Sequence, residues 1–293
     1  MDFEFFRILI AILGTFILAY QDGKTSFMDE KLLYVMLGAG VIFTLLSFDV
    51  NFAMWTGLGV AVILLIGYVA YRTGQFGMGD VLLFAALHAL LPVFPVAFMD
   101  QITSLLGLNV DLNFGLLFPP VFSVLLVASI LGLVGSAFLY AYKLLRSGKK
   151  LKPNWKVALL SIVMCGVVFY LIAIKGISLV ALFFLLVMFA AMIFTFTFKD
   201  QVTSEVLIEL TPINKIEDED ILAIDKLDEK LVAKYKLDKV LTVSQVAILK
   251  EIEKKEKIHA FPVFKHLPRF GPYILAALIL VLLFGNPIIA FLL

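Results

Sequence analysis

The sequence predicts an all-α fold, a polytopic membrane helix bundle of about eight transmembrane helices with a small cytoplasmic α+β segment. Of the 293 residues, 62% are hydrophobic and 16% are charged, whereas a soluble domain is about half apolar and about a quarter charged. The mean hydropathy is +1.03. The apolar residues also form long runs close to the roughly 20 residues that span a bilayer.

Eight such runs can be counted. They cover residues 3–20, 32–48, 52–71, 81–98, 121–145, 156–174, 177–198 and 273–293. The sixth and seventh are separated only by Lys175 and Gly176, so we expect them to form a tight helical hairpin. The first begins with charged residues and lacks a small-residue cleavage site after it, which favours a retained helix over a removable signal peptide.

A change in composition divides the chain into three parts. Residues 1–198 are predicted to form a transmembrane bundle of helices 1–7, residues 199–270 a cytoplasmic segment, and residues 271–293 the final transmembrane helix. Acids and bases alternate in the middle part. Within it, residues 205–212 are typical of a short strand ended by proline. The apolar spacing of residues 217–235 and 243–258 indicates two helices.

Lysine and arginine define the orientation. Basic residues occur after the first run, after the third and after the fifth, whereas the intervening loops have none until Lys175, the one misfit. The basic positions are Lys24, Lys31, Arg72, Lys143, Arg146, Lys149, Lys150, Lys152 and Lys156. Cytoplasmic loops carry the excess of such residues. The chain is therefore expected to be a multi-pass protein of the cell membrane, with these loops in the cytoplasm and the bilayer as its surroundings.

Composition also argues against several kinds of partner. The net charge of +1 gives no reason to expect binding to nucleic acid. The one cysteine, Cys165, cannot form an internal disulfide, and no cysteine or histidine cluster has metal-ligand spacing. We therefore expect no metal and no organic cofactor.

Two isolated carboxylates stand at the edges of apolar runs. Asp22 follows the first run, and Asp80 precedes the fourth in the sequence Gly77-Met78-Gly79-Asp80. An acid in or near a membrane span is costly, so it indicates function. The predicted topology places both at the cytoplasmic border of the membrane.

If the first and fourth helices pack together, the two acids approach each other in a poorly solvated place. Like charges that close cannot both ionise, so the pair is expected to share one proton. One acid could then take a proton from water while the other donates a hydrogen bond to a carbonyl oxygen. Gly77 and Gly79 fit either a flexible loop or an opening through which an extended peptide reaches the acid.

The motif around Asp80 resembles the Gly-x-Gly-Asp signature of membrane aspartyl proteases. Together with Asp22 just after the first helix, it is similar to the archaeal preflagellin peptidases and type IV prepilin peptidases. The resemblance covers about residues 1–145 and, more loosely, the proline-punctuated run at 268–272. It implies an endopeptidase that removes a short basic leader from preflagellin or type IV pilin-like precursors, which carry class III signal peptides. It also implies that Asp22 and Asp80 are the catalytic residues.

Two alternatives stay open. A presenilin-like intramembrane protease shares the glycine motif, but the Tyr-Asp and Pro-Ala-Leu sequences of that group do not occur here. A secondary transporter could use the two acids to bind ions, although such proteins tend to have internal repeats and acids near mid-membrane.

Lys24 and His88 are candidates for residues that support the pair. A histidine in a helix is more often a buried structural residue.

Overall fold

The computed structural model describes residues 3–105, 119–173, 179–218, 220–265 and 267–285. Its membrane part is built of apolar α-helices. In chain order they are α1 (Glu4–Thr25), α2 (Glu30–Leu45), α3 (Val50–Arg72), α4 (Met78–Leu90), α5 (Val96–Leu105), α6 (Pro120–Arg146), α7 (Trp155–Ala173), α8 (Leu179–Thr197) and α12 (Gly271–Phe284). A short polar helix, α9 (Lys199–Val202), follows α8. The prediction of a mostly helical apolar fold with a small sheet is confirmed.

Three described helices, α1, α3 and α6, are long and apolar enough to cross a membrane. A fourth span results if α8 and the 199–207 segment, bent by 69° at their junction, are counted as one. The α4 and α12 helices are shorter apolar helices. The number of eight spans therefore stays a prediction. The hairpin predicted at Lys175 and Gly176 lies outside the described residues.

The fourth predicted helix is wrong at its far end. The run over residues 81–98 was expected to be one helix, but α4 ends at Leu90 and α5 begins at Val96. Between them lie Pro92 and Pro95. A proline lacks the amide hydrogen needed by the helix ladder and disfavours helical backbone in the residue before it.

The α4 helix lies at the centre of the bundle. It packs most extensively against α2 and α3 and also contacts α1 and α6, while α12 fits between α1 and α6. Every residue of α4 from Leu83 to Leu90 is buried. The outer helices instead expose apolar side chains such as Trp55, Leu65 and Ile66 of α3, as expected for surfaces that face lipid.

Glycines allow this close packing. A Cβ atom added at Gly40 of α2 would lie 2.6 Å from the carbonyl carbon of Ala89 in α4. Gly59 and Gly67 of α3 likewise lie directly against His88 and Val81 of α4. Gly132 and Gly135 of α6 face Phe270 and Tyr273 in the same way. Gly38 and Gly57 have no such neighbour within 4 Å.

A buried arginine closes the opposite end of the bundle. The guanidinium of Arg7 donates hydrogen bonds to the carbonyl oxygens of Ala89 (3.5 Å) and Leu90 (3.4 Å). It also donates to Thr44 Oγ1 at the end of α2 (3.3 Å). These carbonyls end α4 and have no partner within their own helix. Arg7 thus joins the ends of two helices to α1.

The part of the chain predicted to be the cytoplasmic segment forms a small unit around a three-stranded antiparallel sheet. Strands β1 (Ile208–Pro212) and β2 (Ile221–Leu222) both pair with the central strand β3 (Ala260–Phe264). Helices α10 (Glu229–Tyr235) and α11 (Val243–Glu256) cover it, with Leu222, Leu249 and Phe261 fully buried. Lys239 Nζ donates to the carbonyl oxygen of Thr73 at 3.1 Å, which joins this segment to the loop after α3.

The sequence predictions for this segment had mixed outcomes. The helix at 243–258 is confirmed as α11, whose first turn is capped by Thr242 Oγ1 accepting from the Gln245 amide (3.4 Å). The strand at 205–212 begins only at Ile208, after a π-helical turn. The helix at 217–235 is wrong over its first half, because residues 221–222 pair with β3 instead. Long-range strand pairing there overrides the helical spacing of the apolar residues.

We predict that Gly40→Val lowers the free energy of unfolding by about 1–3 kcal/mol, because overpacking at a tight contact forces the backbones apart. Thermal unfolding in detergent micelles measures the change. Gly38→Val, two residues away on the same helix with no neighbour within 4 Å, is the matched control. Equal destabilisation by both variants would contradict the contact.

Replacing Arg7 by leucine is expected to cost about 1–3 kcal/mol of stability, since the buried carbonyl groups at the end of α4 lose their donor. Arg7→Lys retains one charged donor, so its stability is expected to lie between that of the parent protein and that of Arg7→Leu. The same unfolding assay tests this. A leucine variant as stable as the parent would rule out the role of Arg7.

Candidate active site

Asp22 lies in the last turn of the first helix and is buried. Its side chain is 8% exposed. Its Oδ2 accepts a hydrogen bond from the backbone amide of Gly271, the first residue of α12, at 2.8 Å. Behind it, α1 ends at Ser26 in the left-handed conformation (φ 62°), whose amide donates to the carbonyl oxygen of Asp22. The first helix therefore presents this carboxylate directly to the start of the last helix.

Asp80 is the third residue of α4. The glycine motif forms the start of this helix, with Gly77 preceding the first helical residue, Met78. The Gly77 amide donates to Asp80 Oδ2 at 3.3 Å. An acid in the first turn bonded to a free backbone amide is a common helix start, because the early amides have no partner within the helix.

The two carboxylates lie at the same end of the bundle. They are close enough to interact electrostatically, and neither forms a hydrogen bond with the other among the contacts of the described residues. Met28, in the loop after α1, lies beside both Gly79, which precedes Asp80, and Gly271, which donates to Asp22. Its Cβ is 3.3 Å from where a Cβ on Gly79 would sit, and its Cε is 3.1 Å from the equivalent position on Gly271.

A third element contributes residues that the sequence analysis did not assign to the site. The guanidinium of Arg269 donates to the carbonyl oxygen of Gly23, next to Asp22 in α1, and its charge lies close enough to act on Asp22. Gly271 supplies the amide bonded to Asp22. The run at 268–272 was noted only for its prolines. No local pattern could reveal its partner, because the contact joins residues 249 positions apart.

The remaining predicted site residues have different surroundings. Lys24 is exposed, and its ammonium lies 5.9 Å from the ring of Tyr20. His88 is eight residues beyond Asp80, about 12 Å further along the helix. It is buried, lies against Gly59, and neither ring nitrogen has a hydrogen-bond partner among the described residues. The structure therefore brings Gly77 and Gly79 to the acids, and does not bring His88 there.

An apolar groove opens beside Asp80. Its floor is α4 at Val81 and Phe84, its walls are α3 and α6, and every residue that lines it is apolar or glycine. Ile66 of α3 and Phe122 of α6 are among the wall residues and are exposed. Val81, one of the lining residues, follows Asp80 directly in α4.

The described residues include no group of three or more histidine, cysteine or acidic side chains that could hold a metal ion. Two carboxyl groups at one end of a bundle are a combination that can exchange protons with a water molecule.

Comparison with known proteins agrees with the sequence resemblance. Residues 9–137 match the type IV leader peptidase family. This leader peptidase match contains both aspartates and the glycine motif, and leaves Arg269 and Gly271 outside it. The resemblance to the prepilin peptidases that the sequence motif indicated is thereby confirmed.

One curated relative supports the same assignment. A stretch of 99 residues is 30% identical to prepilin peptidase EppA of Methanothermobacter thermautotrophicus (strain ATCC 29096 / DSM 1053 / JCM 10044 / NBRC 100330 / Delta H). It covers 32% of this chain and 26% of that relative, so the chain matches only about a quarter of the length of EppA. No solved structure has a significant match.

Proposed function

We propose that this chain is a membrane aspartyl endopeptidase that removes the short basic leader from preflagellin or type IV prepilin-like precursors. The observation that carries the proposal is that Asp22 and Asp80 lie at the same end of the bundle, where Met28 packs against both Gly79, next to Asp80, and Gly271, which donates to Asp22. Similarity to the leader peptidase family and to a prepilin peptidase supports the reaction. It also favours this function over a presenilin-like protease or a transporter.

In the proposed reaction, the pair of acids shares one proton. The ionised carboxylate accepts a proton from water, which attacks the carbonyl carbon of the scissile peptide bond. The protonated carboxyl group donates a hydrogen bond to the carbonyl oxygen as negative charge develops there. Collapse of the tetrahedral intermediate breaks the C–N bond, and the proton taken from water passes to the leaving amine. Asp22, Asp80 and one water molecule supply every proton that this hydrolysis requires.

The proposed location of the site is the cytoplasmic border of a multi-pass protein. Lys24 and Arg72 lie at the ends of α1 and α3 on the side of the two acids, and basic residues favour the cytoplasmic side. The cytoplasmic segment contacts Thr73 at this same end. A precursor with a class III signal peptide would keep its basic leader in the cytoplasm, and its scissile bond would then reach the aspartates.

The apolar groove beside Asp80 suits the apolar helix that follows the cleavage point in such precursors. Val81, one of its lining residues, directly follows the acid, and the groove offers no polar side chain. A helix that lies in this groove would leave lipid only partly, so its binding depends on side-chain packing.

We predict that Asp22→Asn and Asp80→Asn each reduce the cleavage rate on the order of 10²–10⁴-fold, because proton transfer requires both carboxyl groups. The assay incubates purified protein in detergent with a precursor carrying a basic leader, and mass spectrometry with N-terminal sequencing identifies the product.

The matched control is Asp29→Asn. Asp29 is a nearby exposed acid that accepts from the Lys31 amide at the start of α2, and asparagine can keep this cap. Full cleavage by either catalytic variant would reject the aspartyl mechanism. Ion flux through reconstituted vesicles without precursor cleavage would favour the transporter.

Filling the groove is expected to weaken substrate binding without changing chemistry. We predict that Ile66→Trp raises KM about tenfold, equivalent to about 1.4 kcal/mol, with kcat unchanged. Leu65→Trp is the control, since Leu65 is an exposed neighbour on α3 that does not line the groove. Equal KM values for the two variants would place the apolar helix elsewhere.

A further inference from the structure

The segment Arg269–Phe270–Gly271, here named the 269–271 clamp, contacts residues beside both aspartates. On the Asp22 side, Gly271 donates its amide to the carboxylate at 2.8 Å, and this bond is buried. One residue away in α1, Gly23 accepts a hydrogen bond from the Arg269 guanidinium. Two donors from the clamp therefore hold the last turn of α1.

The middle residue of the clamp reaches the Asp80 side. The ring of Phe270 packs edge-on against Phe76, with 5.6 Å between the ring centroids. It also lies 6.4 Å from the ring of Phe84. Phe76 precedes Gly77, whose amide bonds to Asp80, and Phe84 lies one helical turn after Asp80. The aromatic cluster therefore supports both ends of the glycine motif.

The clamp is held in place by α6. Gly132 leaves the space that the Phe270 ring occupies, since a Cβ there would lie 3.2 Å from the ring. At the other side, a Cβ on Gly271 would lie 3.0 Å from Asp22 Oδ2 and 3.1 Å from Met28. A side chain at position 271 would therefore press on the Asp22 carboxyl group.

We propose that Arg269 and Gly271 are positioning residues of the active site, which set the placement of Asp22 relative to Asp80 through the 269–271 clamp. This rests on the proposed function. Both residues lie outside the part of the chain that matches the leader peptidase family. One carboxylate oxygen of Asp22 is engaged by Gly271, which fixes the orientation of the carboxyl group. A reacting group displaced by about 1 Å can lose on the order of 10²-fold in rate.

The first test replaces Arg269 by glutamine and by lysine. We expect Arg269→Gln to lower kcat on the order of 10²-fold with KM changed by less than about twofold, because the loss affects the transition state and not substrate binding. Arg269→Lys keeps a charged donor and is expected to recover part of the loss. Arg146→Gln, on the exposed end of α6, is the control for loss of one basic residue.

The second test replaces Gly271 by alanine. The added Cβ would lie 3.0 Å from Asp22 Oδ2 and press the carboxyl group aside by a few tenths of an ångström. We therefore expect kcat to fall by about tenfold, less than for Arg269→Gln. Gly38→Ala, at a helical glycine with no atom within 4 Å, is the matched control. The unfolding temperature of each variant is measured in the same detergent, so that loss of fold is separated from loss of positioning.

A cysteine crosslink checks the geometry without relying on activity. With the native Cys165 replaced by alanine, Gly23→Cys and Arg269→Cys are expected to join efficiently through a short bismaleimide. Gly23→Cys paired with Arg146→Cys is expected not to join.

A kcat within about twofold of the parent for both Arg269→Gln and Gly271→Ala would overturn the proposal, as would absence of the crosslink. If the parent protein cleaves the precursor and these variants cleave it equally well, only the positioning role of Arg269 and Gly271 is rejected. If the parent cleaves no precursor, the proposed function fails and the positioning role fails with it.

Discussion

A buried hydrogen bond between the first and last helices, from the Gly271 amide to the Asp22 carboxylate, organises the functional end of the bundle. A buried carboxylate without a donor is costly. The start of α12 removes this cost and, in doing so, fixes where the helix sits between α1 and α6. Arg269 adds a second bond to the same turn of α1. The start of α12 therefore contacts the candidate site directly.

The fold and the site depend on the same kind of contact. Helices in lipid gain little from burying apolar surface, so they associate through close packing at small residues. Gly67 lets Val81 approach α3 directly after Asp80, and Gly132 receives the ring of Phe270. Arg7 closes the far end of α4. The helix that carries Asp80 is thus held at both ends by contacts that also stabilise the bundle.

The sequence predicted the helical membrane class because long apolar runs are a local signature. It singled out the two acids as candidates because they are isolated carboxylates at the edges of such runs. It failed where the outcome depends on distant residues. The helix expected at 217–235 gave way to strand pairing with residues 263–264. The role proposed for Arg269 could not be predicted from the sequence, because its partner Gly23 lies 246 positions away. The break at Pro92 and Pro95 did have a local signal, which the length of the apolar run concealed.

The 249-residue separation between Asp22 and its donor has a consequence for synthesis in the cell. A growing chain exposes the first aspartate early, and Asp80 follows soon afterwards. The amide that bonds to Asp22 is synthesised 249 residues later. Until then both acids reside in the same nascent protein without the arrangement seen here. Assembly of the candidate site is thereby coupled to the insertion of α12, and a product truncated before Arg269 would carry both acids without the donors at positions 269 and 271.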